Sequence, residues 1–233
     1  MRQIDVLKCF LLEIPVPQEH IDTLNNYLDE LLNKEDRKSQ ADRLVGQIKN
    51  GEQLAINHED ARLVAFDRFT LECAQEYIGR YIQMSETQFF EHKKAGLQTD
   101  EMWSVHSYAG DYNPMHDHGT KTLAGISWTT WTKLPPQLAD KKPASNMFNA
   151  SGAMDGNLVF CYSPSEIRDP EQLKMPQVLS LAPKVGAIYM FPSWSPHLVY
   201  PFDGEGERRT VAGNINIWLG KQDEENRSIK PNR

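Results

Sequence analysis

Short β-type runs follow one another through the second half of the chain, with no helical pattern between them. From about Leu97 onward, runs rich in β-branched and aromatic residues are separated by Gly, Pro, Asn and Asp. The predicted strands are Glu101–Tyr108, Thr122–Thr132, Asn157–Cys161, Val178–Leu181, Ala187–Phe191, His197–Tyr200 and Arg208–Leu219. Strands at this density that are joined by turns are typical of an antiparallel sandwich or jelly roll.

The first 96 residues have a different pattern. Apolar residues recur at helical spacing over His20–Leu32 and Glu59–Tyr81, which predicts two helices, and the apolar run Val6–Ile14 predicts a strand. The segment Asn33–Asn57 is polar and poorly defined. It holds one candidate for a short helix, formed by Leu44, Val45 and Ile48.

A chain of 233 residues fits one large domain. We expect an α+β domain over residues 1–220, with a mainly helical part (1–96) packed on a jelly-roll core (97–220). Residues 221–233 form a charged tail, and the polar stretch Pro135–Asp155 is long enough to be an active-site lid.

The composition excludes several classes of protein. A net charge of −7 and a pI near 5.5 argue against a nucleic-acid partner, and no apolar run is long enough to span a membrane. The three cysteines are far apart and outside any CxxC spacing, so we expect reduced thiols in a cytoplasmic protein, or in the host cytoplasm if the protein is viral.

Two histidines lie two positions apart, and a third lies far downstream. His116 and His118 sit at a turn that leads into the strand Thr122–Thr132, and His197 begins a β run after a Pro-rich turn. Side chains at i and i+2 of an extended segment point to one face. The His-x-His pair alone is a weak signal, but three converging imidazoles would form a metal site with open coordination positions, as in catalytic centres.

The last predicted strand places a cation near this site. Arg208 falls eleven residues after His197, on the strand that a hairpin would bring beside it. An Arg with Thr210 two residues on can bind a carboxylate through its fork and a hydroxyl, although a solvated Arg on an exposed face is the alternative. By the two-residue period, one face carries Arg208, Thr210, Ala212, Asn214, Asn216 and Trp218, and the other carries Arg209, Val211, Gly213, Ile215 and Ile217.

These motifs together resemble the 2-oxoglutarate/Fe(II)-dependent oxygenase superfamily, and most closely its members common in cyanophages and marine bacteria. The resemblance covers residues 98–219 and rests on segments in the expected order, Gly110–Gly119, Phe191–His197, Pro201–Phe202 and Glu207–Asn214. The superfamily pattern is His-x-Asp/Glu, a distant His, and then Arg or Lys, often as Arg-x-Ser/Thr.

The second ligand position departs from that pattern, because it holds His118 where the superfamily has a carboxylate. Either the site uses three histidines, or the turn lets Asp117 rotate in as the carboxylate. Strand parity favours His118. A three-histidine set has less anionic character, which bears on iron affinity.

The resemblance implies a double-stranded β-helix (a cupin-like jelly roll) that holds Fe(II) and the co-substrate 2-oxoglutarate. It implies metal ligands His116, His118 and His197, and a carboxylate anchor formed by Arg208 and Thr210. Asn113 and Asn214 would orient the keto acid or a ligand histidine. The expected activity is hydroxylation of a protein side chain or a small metabolite, with a homodimer allowed. Trp103, Tyr108 and Trp128 are the candidates for substrate contacts.

Two other functions fit the same residues. One is a cupin-like metal enzyme without 2-oxoglutarate, in which Arg208 would bind a substrate carboxylate. The other is a non-catalytic structural or binding protein, such as a phage component with a degenerate barrel. Succinate formation from 2-oxoglutarate would separate the first alternative, and metal content the second.

Overall fold

Two antiparallel sheets form the body of the protein in a computed structural model that describes residues 11–40, 46, 48–85, 96–122, 124–140, 151–161 and 178–218. The strands are β1 (Leu12–Pro15), β2 (Glu52–Ile56), β3 (Gly96–Ser107), β4 (Asn113–His116), β5 (Ala124–Lys133), β6 (Leu158–Cys161), β7 (Val178–Leu181), β8 (Ala187–Pro192), β9 (His197–Val199) and β10 (Arg208–Trp218). The helices are α1 (Gln18–Leu32), α2 (Val64–Ser85) and α3 (Pro136–Ala139).

The strand order is that of a double-stranded β-helix. The larger sheet runs β1-β8-β5-β10-β3-β2 and the smaller one runs β4-β9-β6-β7. Neighbouring strands in both sheets pair antiparallel. The predicted jelly roll with helices packed on it is therefore confirmed.

Helices α1 and α2 cover the outer face of the larger sheet. The buried residues of α1 recur at helical spacing, so that one stripe faces the sheet. Val211, Ile215 and Ile217 of β10 pack in the same apolar cluster as this stripe, which confirms the predicted apolar face of that strand. A second apolar cluster lies between the two sheets and contains Trp131, Leu158, Phe160, Ala187, Tyr189 and Phe191.

Two strands lie where the sequence pattern did not predict them. The segment Asn33–Asn57, whose sequence pattern is poorly defined, contains β2, which pairs with β3 at the edge of the larger sheet. The turn expected before His118 also contains β4, which pairs with β9 at the edge of the smaller sheet. Both are edge strands, which are often short and weakly apolar.

Several predictions fall partly or wholly outside the described residues. These are the start of the Val6–Ile14 strand, the Leu44–Val45 part of the short helix, the middle of the Pro135–Asp155 loop, and the tail 221–233. Within the described part of the chain, no helix is both long and apolar enough to cross a membrane.

Candidate active site

Three imidazole rings meet in a cavity lined by strands of both sheets. His116 ends β4 and lies directly opposite His197, the first residue of β9, while His118 follows two residues after β4. The ring centroids are 4.3 Å (116 to 197), 4.9 Å (118 to 197) and 5.3 Å (116 to 118) apart. Their ligand nitrogens lie within 4.8 Å of one another, which no other group of three His, Cys, Asp or Glu side chains achieves in the described residues.

Two of these rings are held by carbonyl groups of their own segments. The Nδ1 atom of His116 lies 2.7 Å from the Pro114 carbonyl oxygen, and that of His197 lies 2.9 Å from the Ser195 carbonyl oxygen. A carbonyl oxygen only accepts, so each Nδ1 carries the proton and each Nε2 keeps its lone pair. The Nε2 atoms are therefore the ones that would bind a metal, and at His116 the metal would take the place of a 3.1 Å contact with Nδ2 of Asn113.

Burial keeps all three imidazoles neutral. Desolvation lowers the pKa of His118 to about 4, with a further contribution from neighbouring His116. Desolvation likewise lowers the pKa of His116 and, more strongly, that of His197. Neutral imidazole is the form that binds metal ions, so the cluster needs no deprotonation near neutral pH.

Arg208 lies at a different position along the same cavity and is 2% exposed. Its two terminal nitrogens donate to the carbonyl oxygens of Gly156 and Tyr200 and to the Ser107 hydroxyl, at 3.1–3.2 Å. Its Nε is buried without a hydrogen-bond partner, and no carboxylate of the described residues forms a salt bridge with it. Burial lowers its pKa to about 10, with the charge of Asp111 opposing the shift. Because the guanidinium is buried and lacks a carboxylate partner among the described residues, the binding of an anion beside it would be favourable.

The cavity that joins the two groups has a volume of about 340 Å³, within the range of small-molecule sites. Thr210, Ala212 and Asn214 line it along β10, as the predicted polar face requires. Leu158, Phe191 and Val199 form an apolar wall. The cavity therefore combines three neutral imidazoles, the Arg208 guanidinium and a set of apolar side chains.

The other predicted site residues have distinct positions. Asn113 lines the cavity and its Nδ2 lies 3.1 Å from Nε2 of His116. Asp117 is exposed at the mouth and does not belong to the nitrogen cluster. The ligand set that the geometry offers is therefore the three-histidine one.

The aromatic candidates for substrate contacts differ from one another. Trp103 lines the cavity with its ring 5.3 Å from that of His118. Trp128 borders the cavity, but it is fully buried and packs edge-on against Phe66 of α2 at 5.6 Å. Tyr108 is 37% exposed and is not among the described lining residues. Trp103 is thus the best placed of the three.

Sequence reasoning missed several residues of the cavity. Ser107 lies directly opposite Arg208 on β3, and its hydroxyl oxygen accepts a hydrogen bond from a terminal nitrogen of the guanidinium at 3.2 Å. Gln53 of β2 is 6% exposed and its Oε1 has no hydrogen-bond partner. Glu101 of β3 bonds Asn214. The alternation of β3 could have indicated Glu101 and Ser107, since both share the face of Trp103.

Comparison with known proteins gives one family and one fold. A family profile described as "Putative 2OG-Fe(II) oxygenase" matches residues 101–214. That stretch contains all three histidines and Arg208. No curated protein sequence is similar to the chain.

Solved structures of similar fold cover most of the chain. A prolyl-4-hydroxylase from Pseudomonas putida is 12% identical, with a TM-score of 0.51 over 88% of this chain and 91% of that one. A Trichoplax adhaerens prolyl hydroxylase in complex with a hypoxia inducible factor peptide is 13% identical, with a TM-score of 0.54 over 95% and 87%. HygX from Streptomyces hygroscopicus, with nickel and 2-oxoglutarate bound, is 10% identical, with a TM-score of 0.53 over 88% and 82%. At these identities the likeness establishes the fold.

Proposed function

We propose that this chain, a member of the 2OG-Fe(II) oxygenases through residues 101–214, is an Fe(II)- and 2-oxoglutarate-dependent dioxygenase. The reaction class is hydroxylation: a substrate C–H, O2 and 2-oxoglutarate give the C–OH product, succinate and CO2. One observation carries the proposal. A neutral three-imidazole cluster and a buried guanidinium without a carboxylate partner share one cavity.

The nitrogen cluster fits a divalent first-row metal. His116, His118 and His197 would hold it, because imidazole nitrogen suits Fe, Ni, Cu and Zn and the three rings are already neutral. The fold of HygX, which binds nickel and 2-oxoglutarate, supports the same use of this cavity. Three protein ligands leave positions open for co-substrate, in contrast to closed structural sites.

The part of the cavity that Arg208 lines fits one carboxylate of a dicarboxylate. The guanidinium of Arg208 would bind the carboxylate remote from the metal, and its unpartnered Nε would gain an acceptor. Thr210 lies two residues further on the same face of β10 and would add a hydroxyl donor. Ser107 and the two carbonyl groups hold the guanidinium in place before the anion arrives.

When bound, Fe(II) and 2-oxoglutarate would supply the oxidising chemistry. The residues of the chain would orient the metal ligands and limit the access of water. The carbonyl oxygens of Pro114 and Ser195 keep His116 and His197 in the orientation that presents Nε2. Leu158, Phe191 and Val199 supply apolar lining to the same cavity, which would limit the access of water to the bound co-substrate.

The substrate class that we propose is a protein side chain or a small metabolite. Two of the proteins of similar fold are prolyl hydroxylases, and a third was solved with hygromycin B bound. The mouth is bordered by Tyr112 and Asp117, both exposed, with Trp103 further in. We propose the cytoplasm as the location, consistent with the buried, reduced thiol of Cys73.

The direct test is consumption of 2-oxoglutarate. The purified chain, reconstituted with Fe(II) under reducing conditions, should release succinate and CO2 from 2-oxoglutarate even without primary substrate, at a slow uncoupled rate. His197→Ala is the matched inactive control. Tight iron binding without any 2-oxoglutarate consumption or binding would instead favour the cupin-like enzyme, which the three-histidine set also suits. Absence of metal binding by the reconstituted chain would favour a non-catalytic protein.

A further inference from the structure

Three polar side chains from three adjacent strands meet behind His118. Asn214 on β10 lies directly opposite Glu101 on β3 and directly opposite Ser127 on β5. Asn214 is 2% exposed and Ser127 is fully buried. The group lies on the cavity face of the larger sheet, next to the imidazole cluster.

Glu101 shares the cavity face with Trp103 and Ser107, and an irregularity in β3 ends this alternation directly N-terminal to Glu101. The pairing of β10 with β3 shifts between Asn214 and Ile215, so that Asp100 is an extra residue on β3. Beyond the shift, Thr99 turns to the helix side and its hydroxyl donates to Asp67 of α2 at 2.6 Å. Such bulges re-aim side chains. Here the bulge turns Thr99 toward the helices, so that Glu101 is the residue of β3 on the cavity face that adjoins the shift.

The hydrogen bonds fix the orientation of the Asn214 amide. One end of this amide lies 3.0 Å from Oε1 of Glu101. A carboxylate only accepts hydrogen bonds, so that end is the Nδ2 donor and the other end is Oδ1. The Oδ1 atom lies 2.7 Å from the Ser127 hydroxyl and 3.1 Å from Nδ1 of His118.

The orientation of the amide then decides the tautomer of His118. Because Oδ1 only accepts, Nδ1 of His118 must carry the proton, and Nε2 must keep its lone pair. The Ser127 hydroxyl, 3.0 Å from the same Nδ1, could accept or donate and would not decide the tautomer alone. The carboxylate of Glu101 is thus the origin of a chain of directed hydrogen bonds that ends on His118.

His118 differs in this respect from the other two rings. His116 and His197 are oriented by main-chain carbonyl oxygens of Pro114 and Ser195, which no side-chain substitution removes. The orientation of His118 depends on side chains from β3, β5 and β10. His118 is also the ligand candidate that stands where the family pattern has a carboxylate.

We propose that Glu101 and Asn214 are positioning residues that hold His118 in its Nδ1–H tautomer and make its Nε2 a stronger metal ligand. This inference rests on the proposed function, since it takes His118 to be a ligand. A carboxylate linked to a ligand imidazole through hydrogen bonds raises the basicity of the ligand nitrogen. The three-histidine set has no carboxylate ligand, and the negative charge of Glu101 would act on His118 through the side-chain amide of Asn214.

The first experiment reads the tautomer of His118 in the metal-free chain. Nitrogen-15 correlation NMR at pH 7.5 should show the proton on Nδ1 of His118. In Asn214→Ala the Nδ1–H form should lose its dominance, because only the Ser127 hydroxyl remains. The matched control is Asn216→Ala, on the same strand and face and equally buried, whose amide oxygen accepts from the Lys121 backbone N–H instead. This control should leave the tautomer of His118 unchanged.

The second experiment measures metal affinity by titration with Mn(II) and Co(II), with the Co(II) visible spectrum as a signature of the ligand set. Substitution of such outer partners costs about 10- to 100-fold in metal affinity. We expect a loss in that range for Asn214→Ala, a smaller loss for Glu101→Gln, and no loss for Asn216→Ala. Glu101→Gln preserves size and hydrogen bonding, so it carries the test if Asn214→Ala does not fold by circular dichroism.

The outcomes separate this inference from the proposed function. A His118 protonated on Nε2 in the metal-free chain, or a wild-type metal affinity in both Asn214→Ala and Glu101→Gln, would overturn the inference and leave the metal site standing. A wild-type chain that binds neither Mn(II) nor Co(II) would overturn the proposed function, and with it the ligand role of His118.

Discussion

Replacing Arg208 with methionine removes a buried positive charge from the cavity while keeping a side chain of similar length. Arg208 is 2% exposed, so a carboxylate bound to it would form a desolvated pair. Truncating one partner of a buried, hydrogen-bonded charge pair costs about 2–5 kcal/mol. Since about 1.4 kcal/mol corresponds to a tenfold change in affinity, Arg208→Met should weaken 2-oxoglutarate binding by about 30- to 4,000-fold.

The assay is isothermal titration of 2-oxoglutarate into the Mn(II)-loaded chain without oxygen. Arg208→Lys should lose less affinity than Arg208→Met, because lysine keeps the charge but not the fork. Arg62→Met is the control, since Arg62 lies outside the cavity and pairs with Asp60 and Glu30 at the surface. An unchanged dissociation constant in Arg208→Met, with metal still bound, would refute the assignment of Arg208 as the carboxylate anchor.

Three further predictions concern stability and reactivity. Burial alone would raise the pKa of Glu207, but hydrogen bonds from His106, Arg209 and Lys133 hold it well below its ordinary value of 4.5. The ionised carboxylate therefore stabilises the folded chain fully above pH 4.5, and this stabilisation is lost as the pH falls from 4.5 toward the lower pKa of the folded state. Glu207→Gln should therefore lower the free energy of unfolding on the order of 3 kcal/mol at pH 7, and by less at pH 3.5, in urea titrations; an equal deficit at both values would contradict this. Gly213→Ala should destabilise the chain by about 1–3 kcal/mol in the same assay, because the added Cβ would lie 2.7 Å from the Trp128 ring. A variant as stable as the wild type would show that the ring can move. Burial raises the pKa of Cys73 to about 12, so iodoacetamide at pH 8 should leave this thiol unmodified until urea unfolds the chain. Peptide mass mapping would detect the modification, and rapid labelling of Cys73 in the folded chain would disprove its burial.

The parts of the site that follow from strand parity were predictable from the sequence. The two-residue period of β10 separates Arg208, Thr210 and Asn214 from Val211 and Ile215, and the structure places the first set on the cavity and the second in the core. The same two-residue period predicts that the side chains of His116 and His118 point to one face. These are local properties of one strand, which an amino-acid pattern can carry.

The parts that depend on register between distant strands were not predictable. The alternation of β3 indicates the face of Glu101, but Asn214 meets Glu101 only because of the register between β10 and β3, which leaves no local signal. The edge strands β2 and β4 were missed for a related reason. β4 contains Pro114 and has only four residues, so its pattern resembles a turn.

The metal ligands themselves offer the most direct test of the account. Anaerobic reconstitution followed by metal analysis and Mn(II) titration should be carried out on the wild-type chain and on His118→Ala and Asp117→Ala. The account predicts one metal ion per chain in the wild type and in Asp117→Ala, and a large loss of affinity in His118→Ala. Retention of metal by His118→Ala together with its loss from Asp117→Ala would contradict the three-histidine centre.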